Sequence, residues 1–169
     1  IVSNAIKQAL DEKSNQVCGG KWKVAFEPHD DASATLGQWD EAVVTANAKA
    51  YVADQTIVAV IGTLDSGAAK VLIPILNPEN LVIISPANTY PGLTKPGQGA
   101  EGEPGMYYPN GERNYARVIP ADDLQGAVGA TWAESLGAQR VYVLDDGQLY
   151  GKGVATVFEN SARSAGLTV

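Results

Sequence analysis

The chain has 169 residues, of which 45% are hydrophobic, and its 19 acidic and 12 basic residues give a net charge of −7. This length is enough for one good core, or for two small sub-domains with a cleft between them. Because the net charge is negative and the basic residues are scattered, we expect no nucleic-acid partner. No apolar run approaches the roughly 20 residues that a membrane span needs, so we expect no direct membrane insertion by this segment.

The single cysteine and the start of the sequence say little about function. Cys18 cannot form an internal disulfide, and no second thiol or histidine lies beside it to share a metal ion. The sequence begins at Ile1 without a methionine or a signal-peptide pattern, so we expect any export signal to lie outside it.

The first third of the chain predicts two helices with a strand between them. Apolar residues recur at helical spacing over residues 2–10, so the chain is expected to begin inside a helix. A Cys-Gly-Gly turn then precedes an expected strand at 22–27. An alanine-rich stretch with an apolar stripe predicts a second helix over 36–54.

The middle of the chain shows one pattern twice, a buried strand followed by a polar loop. The β-branched run at 57–61 is typical of a strand buried on both faces of a parallel sheet. The loop at 62–67 leads into a helix bounded by Pro74 and Pro78. The run at 81–84 repeats the strand pattern and continues into a Ser-Pro-Ala-Asn-Thr loop.

Residues 90–114 are rich in Gly, Pro, Glu, Tyr and Asn without periodicity, which predicts a long surface loop. We expect its central part, 96–112, to be an excursion away from the sheet that Tyr107 and Tyr108 pack only loosely. Deleting the tip of this loop is therefore expected to cost little stability.

Regular structure is expected again after this loop. The predicted elements are a strand at 115–119, an N-cap at 120–123, a helix at 124–136, a strand at 140–144, a helix at 150–165 and the start of a strand at 166–169. Strands that alternate with helices through the whole length predict an α/β fold with a parallel sheet and helices on both faces. Ligand sites in such folds lie at the carboxyl ends of the strands.

Four segments of the sequence carry a resemblance to a known family. They read VAVIGTLDSGAAK with IPILN (58–77), LVIISPANTYPGLT (81–94), RVIPADDLQG (117–126) and VYVLDDGQLYGKG (141–153). In this order they resemble the type I periplasmic solute-binding proteins of ABC transporters, in the leucine/isoleucine/valine-binding branch. The resemblance implies two flavodoxin-like, three-layer lobes with parallel sheets. It places lobe one at residues 1–117 and the beginning of lobe two at 118–169.

The resemblance also implies that the chain is a fragment. The family's lobe has the strand order 2-1-3-4-5, and its first strand would precede the helix that begins this chain. We therefore expect most of lobe one without its first strand, and the start of lobe two, from a protein about twice as long. The acidic partner of the ligand ammonium is expected in the absent part of lobe two.

The resemblance further implies a binding site for a free amino acid. Ser66 and the amide of Gly67 would hold the α-carboxylate at a helix N-terminus, where the helix dipole favours an anion. The carbonyl of Ala87 and the hydroxyl of Thr89 would take the α-ammonium. Asn88, between them, is more polar than the small residue common in branched-chain binders, so it bears on which side chain is bound.

Tyr150 would reach across the cleft from lobe two and contact the ligand. Each assignment has a structural alternative: Ser66 as a helix cap, Thr89 as a turn hydroxyl, and Tyr150 as a packed aromatic at a helix start. The resemblance favours ligand binding for Ser66 and Thr89, and both interpretations stay open for Tyr150.

Catalytic and metal-binding patterns are weak. The single histidine, His29, is followed by two acids in a pattern more typical of a solvated turn than of a metal site. Asp145 and Asp146 are adjacent and point in different directions, and no nucleophile accompanies them. The glycines that follow do not form a dinucleotide fingerprint. We therefore expect no catalytic residue, no metal and no cofactor.

The sequence thus predicts the extracytoplasmic solute-binding component of an ABC importer, periplasmic or lipid-anchored at the cell surface, and not an enzyme. Its ligand is expected to be a branched-chain or other amino acid, or an amide-like small solute, in an inter-lobe cleft. Its protein partner is expected to be the membrane permease. The alternative is a ligand-binding sensor or receptor domain of the same fold.

Overall fold

The computed structural model describes residues 2–169, and these fall into two compact units. The first unit ends at Asp30, and the second extends from Asp31 to Val169. The candidate ligand-binding residues all belong to the second unit.

The first unit contains one helix and a short hairpin. Helix α1 (Val2–Glu12) confirms that regular structure begins with a helix. Strands β1 (Gln16–Val17) and β2 (Trp22–Lys23) pair antiparallel, and the residues between them include two glycines with positive φ. The expected strand at 22–27 is therefore two residues long, and its expected place in a parallel sheet was wrong.

The second unit alternates helices and strands. The helices are α2 (Glu41–Ala53), α3 (Ser66–Leu76), α4 (Asp122–Ser135) and α5 (Leu149–Ser164), and the strands are β3 (Ala59–Ile61), β4 (Val82–Ser85) and β5 (Tyr115–Arg117). Two 3-10 turns, Pro91–Leu93 and Gly105–Tyr107, lie between β4 and β5. The α/β fold class is thus confirmed.

The starts of two helices differ from the prediction. Helix α2 begins at Glu41 and not near 36, because the Asp40 carboxylate accepts a hydrogen bond from the Ala42 amide at 2.8 Å. Helix α4 begins at Asp122, which the sequence placed in the cap. Ala121 is the extended residue before it and offers no side-chain cap.

Strands β3, β4 and β5 form a parallel sheet in that order. The register pairs Ile61 with Ile84 and Ser85 with Arg117. The expected parallel sheet is confirmed, and its pairing brings the carboxyl ends of β3 and β4 to one edge.

One face of this sheet is packed and the other is exposed. Along β4, Ile83 is wholly buried, whereas Val82 and Ile84 are 45% and 38% exposed. Ile61 of β3 is 47% exposed. The packed face forms a core with α2 and α3 through Val44, Ala48, Ala68, Ala69, Leu72, Ile73 and Leu76. The expectation that these strands are buried on both faces was wrong. A continuous apolar run does not specify which face of the sheet is covered by helices.

Helices α4 and α5 pack on each other around a second small core of Ala130, Ala162 and Leu167. The expected strands at 140–144 and 166–169 are reduced to one parallel bridge between Arg140 and Thr168. The proposed boundary between residues 117 and 118 stays a prediction.

The loop at 96–112 is anchored in the core, so the expectation of loose packing was wrong. Tyr107 is 1% exposed, and Tyr108 donates its hydroxyl to the Leu93 carbonyl at 2.7 Å. The Glu103 carboxylate accepts hydrogen bonds from the hydroxyls of Tyr90, at 2.8 Å, and Tyr107, and from the Ala100 amide, at 2.7 Å. A buried carboxylate with three donors joins the loop to the end of β4.

The same cluster explains two glycines and sets the charge state of Glu103. A Cβ at Gly92 or Gly99 would lie 2.2 or 2.1 Å from a Glu103 carboxylate oxygen. Burial raises the pKa of Glu103, but hydrogen bonds from Tyr107, Tyr90 and Ala100 outweigh burial, so the carboxyl pKa lies below its ordinary value. Burial and the hydrogen bond to Glu103 raise the pKa of Tyr90 to about 12.

Glu103→Gln is expected to lower the free energy of unfolding by about 1–3 kcal/mol at neutral pH, because an amide NH2 would face groups that need an acceptor. The depressed pKa means that the carboxylate contributes fully above pH 4.5 and loses its contribution as the pH falls below that value. The difference between parent and variant should therefore shrink in acid. Urea unfolding at neutral and acidic pH measures it.

The matched control is Glu101→Gln, two residues away in the same loop with an exposed side chain. Equal losses in the two variants would contradict the anchoring role of Glu103.

Gly126→Ala is expected to lower the free energy of unfolding by about 1–3 kcal/mol, although alanine favours helices. A Cβ at Gly126 would lie 2.7 Å from Val157 Cβ and 2.8 Å from the Phe158 backbone nitrogen, so α4 and α5 would have to move apart. At Gly129, one turn later, the nearest atom is 3.3 Å away on the Phe158 ring, which can shift. Gly129→Ala should therefore cost nothing in thermal unfolding. A tolerated Gly126→Ala would show that this helix contact is not close.

Candidate functional site

The loops that follow β3 and β4 are joined by Ser85, the last residue of β4. Its hydroxyl donates to the Thr63 carbonyl at 3.1 Å. It also accepts from the amides of Ala87, at 3.1 Å, and Asn88, at 2.8 Å. One buried hydroxyl thus holds both strand-end loops at the same edge of the sheet.

Asn88 reinforces this junction. It is wholly buried, and its side-chain NH2 donates to the carbonyls of Thr63 and Leu64, both at 3.0 Å. Its side-chain oxygen accepts from the Tyr115 hydroxyl at 3.2 Å. The Asn88 side chain is therefore fully engaged within the protein, and a ligand contact for it stays a prediction.

Ser66 is the first residue of α3 and is 2% exposed. Asp65 occupies the N-cap position, although its side chain makes no cap hydrogen bond. The alternative of Ser66 as the cap is therefore wrong. The Ser66 hydroxyl oxygen accepts from the Tyr90 amide at 3.3 Å, which leaves its hydrogen free to donate. The N-terminus of α3 and the loop after β4 therefore touch at Ser66.

Gly67 is buried in the first turn of α3. A Cβ there would lie 2.4 Å from the Trp39 ring. Glycine at this position therefore allows the indole to lie against the helix N-terminus, which the sequence did not indicate.

Thr89 and Ala87 lie in the loop after β4 and are half-buried. The Thr89 carbonyl accepts from the Asp122 amide at 2.9 Å, so the loop is joined to the first residue of α4. The Thr89 hydroxyl is buried and has no well-formed hydrogen bond, although it lies near enough to the Asp122 carboxylate to lower its pKa.

Tyr150 lies in the first turn of α5 and is 40% exposed. Its hydroxyl accepts from the Gln125 side chain of α4 at 3.2 Å. The next turn of α5 approaches the loop after β4, since a Cβ at Gly153 would lie 2.8 Å from the Tyr90 ring. Ser66, Ala87 and Thr89 are thus brought together around one junction, and Tyr150 lies on a helix that faces it.

Acidic groups surround this junction. Burial, and then the charge of Asp146, raise the pKa of the Asp65 carboxyl. Burial also raises the pKa of Asp122, against the lowering effects of Thr89 and Arg117. The Arg117 guanidinium donates to the Tyr90 carbonyl at 3.0 Å and to the Thr94 hydroxyl at 2.6 Å.

The adjacent acids that the sequence set aside lie in a turn. Asp145 and Asp146 each accept a backbone amide two residues ahead, at 2.7 and 2.9 Å, as turn residues do. Among residues 2–169, no group of three His, Cys, Asp or Glu side chains is arranged to hold a metal ion. No helix within these residues is long and apolar enough to cross a membrane.

Sequence reasoning missed the part that Arg117 and Asp122 have in this junction. Both stand in the RVIPADDLQG segment, where Asp122 was interpreted only as part of a helix cap. The available signal was an acidic residue next to the expected boundary between the lobes.

The chain matches the model of the periplasmic binding protein family over residues 2–169. A relative, the Leu/Ile/Val-binding protein BraC3 of Rhizobium johnstonii, is 29% identical over 170 residues. The alignment covers 99% of this chain and 40% of the relative, so the chain spans about two fifths of its length.

Solved structures give the same result. An ABC transporter substrate-binding protein from Desulfitobacterium hafniense, in complex with Leu, is similar with a TM-score of 0.70 and 28% identity, over 99% of this chain and 43% of that one. The leucine-binding protein LivK from Thermotoga maritima is similar with a TM-score of 0.75 and 25% identity, over 96% and 40% of the two chains. The match over residues 2–169, together with the parallel sheet and its strand-end loops, shows that this chain belongs to the periplasmic binding protein family and has its type I fold.

Proposed function

We propose that this chain contributes the amino-acid site of an extracytoplasmic solute-binding protein that delivers a branched-chain amino acid to an ABC permease. The contact between the Tyr90 amide and the Ser66 hydroxyl carries the proposal, because it brings a helix N-terminus against the loop that holds Thr89. An anion site and a cation site then lie side by side, as a free α-amino acid requires. Relatives that bind Leu, Ile or Val support the ligand class.

The α-carboxylate is proposed to bind at Ser66 and Gly67. The Ser66 hydroxyl already accepts a hydrogen bond from Tyr90, so its hydrogen can be donated to a carboxylate oxygen. Amides of the first turn of α3 and the helix dipole favour negative charge at this point. The first turn of α3 contains no acidic residue that would compete for these donors.

The α-ammonium is proposed to bind at the Ala87 carbonyl and the Thr89 hydroxyl. The Thr89 hydroxyl is buried without a well-formed partner, and an ammonium supplies three donors. Hydrogen bonds to a charged group are stronger than neutral ones, so Ser66 and Thr89, and not the pocket for the ligand side chain, supply most of the affinity.

The other candidates have supporting roles in this proposal. Asn88 fixes the loop that presents Ala87 and Thr89, and Gly67, besides offering its amide to the carboxylate, allows Trp39 to approach the site. Tyr150 closes on the ligand when the lobes approach each other. The bound amino acid is handed on unchanged, because the proposed function is delivery to a permease outside the cytoplasm.

Ser66→Ala and Thr89→Ala are each expected to weaken binding of L-leucine by about one to two orders of magnitude, because each removes a hydrogen bond to a charged group. The measurement is calorimetric titration of the complete natural protein. L-leucine amide should bind the parent far more weakly than L-leucine, while Ser66→Ala should discriminate little between them. N-acetyl-L-leucine should show the same relation to Thr89→Ala.

The stability cost of Ser66→Ala should be only about 1 kcal/mol, from the Tyr90 amide left without its acceptor. If the amide of leucine is penalised equally by the parent and by Ser66→Ala, the carboxylate binds elsewhere and this proposal is wrong.

Asn88→Ala is expected to behave differently, because its side chain holds the loops and is not proposed to bind the charged groups of the ligand. It should lower the free energy of unfolding by about 2–4 kcal/mol, since the hydrogen bonds to the Thr63 and Leu64 carbonyls and from the Tyr115 hydroxyl are lost. L-leucine and L-leucine amide should be weakened by the same factor. Asn160→Ala, on the exposed side of α5, is the control. A stable Asn88→Ala variant with a changed preference among amino acids would instead assign Asn88 to the ligand side chain.

A further inference from the structure

The Tyr90 ring lies between two glycines that belong to distant parts of the chain. A Cβ at Gly92 would lie 2.5 Å from Tyr90 Cε1, and a Cβ at Gly153 would lie 2.8 Å from Tyr90 Cδ2. One edge of the ring is therefore covered by the 3-10 turn that follows β4, and the other edge by α5. A side chain larger than hydrogen at either glycine would displace the ring or the helix.

The ring is also held at its hydroxyl. The Tyr90 hydroxyl donates to the Glu103 carboxylate at 2.8 Å, and the same carboxylate accepts from Tyr107 and Ala100. Tyr90 and Glu103 are both buried. Because the ring is packed and its hydroxyl makes a charge-assisted hydrogen bond, the loop fixes where the ring lies.

The backbone of Tyr90 belongs to the candidate site. The Tyr90 amide donates to the Ser66 hydroxyl at 3.3 Å, and Tyr90 directly follows Thr89 in the chain. On the other side of the contact, Gly153 lies three positions after Tyr150, so both residues lie on one face of α5. The contact between the Tyr90 ring and Gly153 therefore links the position of Tyr150 to the positions of Ser66 and Thr89.

We propose, on the basis of the function proposed above, that the Tyr90 ring is the surface on which Gly153 of α5 docks when the cleft closes on the ligand, and that this docking positions Tyr150 over the bound amino acid. Glycine is required at position 153, because a helix backbone approaches a ring this closely only where no Cβ intervenes. Tyr90 and Gly153 are positioning residues, since the Tyr90 ring and Gly153 act on the ligand through Tyr150. Glu103 acts on binding through the Tyr90 hydroxyl.

The first experiment is calorimetric titration of the complete natural protein with L-leucine. Gly153→Ala should weaken binding by about tenfold, because the added methyl group holds α5 away from the ring. In a Tyr90→Leu background, which lacks the ring, the same change should weaken binding by less than about twofold. Equal effects of Gly153→Ala in the two backgrounds would overturn the proposal.

The matched control is Gly129→Ala, which makes the same substitution in helix α4. A Cβ there would meet only the Phe158 ring, at 3.3 Å, so this variant reports the effect of helix propensity alone. It should leave L-leucine binding within about twofold of the parent. A tenfold loss in Gly129→Ala as well would mean that helix propensity, and not docking on Tyr90, controls affinity.

Dissociation kinetics distinguish docking from packing. Closure follows the first encounter with the ligand, so Gly153→Ala should speed L-leucine dissociation by about tenfold and change association by less than about twofold. Stopped-flow fluorescence measures both rates, and urea unfolding measures stability. A contact that only packs the folded protein would lower the free energy of unfolding without changing dissociation, and that result would overturn the proposal.

Two tyrosines provide a matched test of the part that Glu103 has. Tyr90→Phe and Tyr107→Phe each remove one hydroxyl donor from the Glu103 carboxylate. Both should lower the free energy of unfolding. Only Tyr90→Phe should weaken L-leucine binding, by about threefold, because the Tyr90 ring is the proposed docking surface and Tyr107 is not. Equal losses of affinity would show that Glu103 acts through the stability of the loop and not through Tyr90.

A measurement other than affinity separates this inference from the proposed function. In protein labelled with carbon-13 glycine, the ring current of Tyr90 should shift the α-proton resonances of Gly153, and Tyr90→Leu should abolish the shift. If L-leucine binds but its complex lacks the shift, the docking contact is wrong and the proposed function stands. If the shift is present but L-leucine does not bind, the proposed function fails, and with it the ligand part of this inference.

Discussion

The hydrogen bonds of Ser85 and Asn88 to the Thr63 carbonyl hold together the loops that follow β3 and β4. Parallel pairing brings two strand ends to the same edge, but the ladder stops there and does not fix the loops beyond it. Two buried polar side chains continue the connection. Because each has its partners inside the protein, these hydrogen bonds hold the residues on either side of the junction close together.

Tyr90 connects this junction to other parts of the second unit. Its amide meets Ser66, its carbonyl accepts from Arg117, and its hydroxyl donates to Glu103. Gly153 of α5 lies against its ring. The glycine- and proline-rich loop therefore supports the candidate site through Tyr90. A segment with only short 3-10 turns is anchored in part by one buried carboxylate, because three donors converge on it.

Glu103 and Asp122 differ in their hydrogen-bond donors. Both carboxylates are buried, but Glu103 has its donors and Asp122 has none with good geometry. An unsatisfied buried carboxylate costs stability, so its position next to Thr89 is costly for folding alone. A ligand that brings hydrogen-bond donors would offset this cost, which couples binding to the stability of the junction.

The sequence by itself determined the alternation of helices and strands, the family, and the positions of Ser66 and Thr89 after the ends of two strands. These depend on patterns within a few residues or on motifs in a fixed order. Only the tertiary structure decided that one face of the sheet is exposed, that β2 is a hairpin strand, and that Glu103 and Asp122 are buried. Each of these depends on contacts between residues far apart in the chain, such as Asn88 with Leu64 at a separation of 24 positions. No local pattern specifies which distant group will cover a side chain or supply its hydrogen-bond donor.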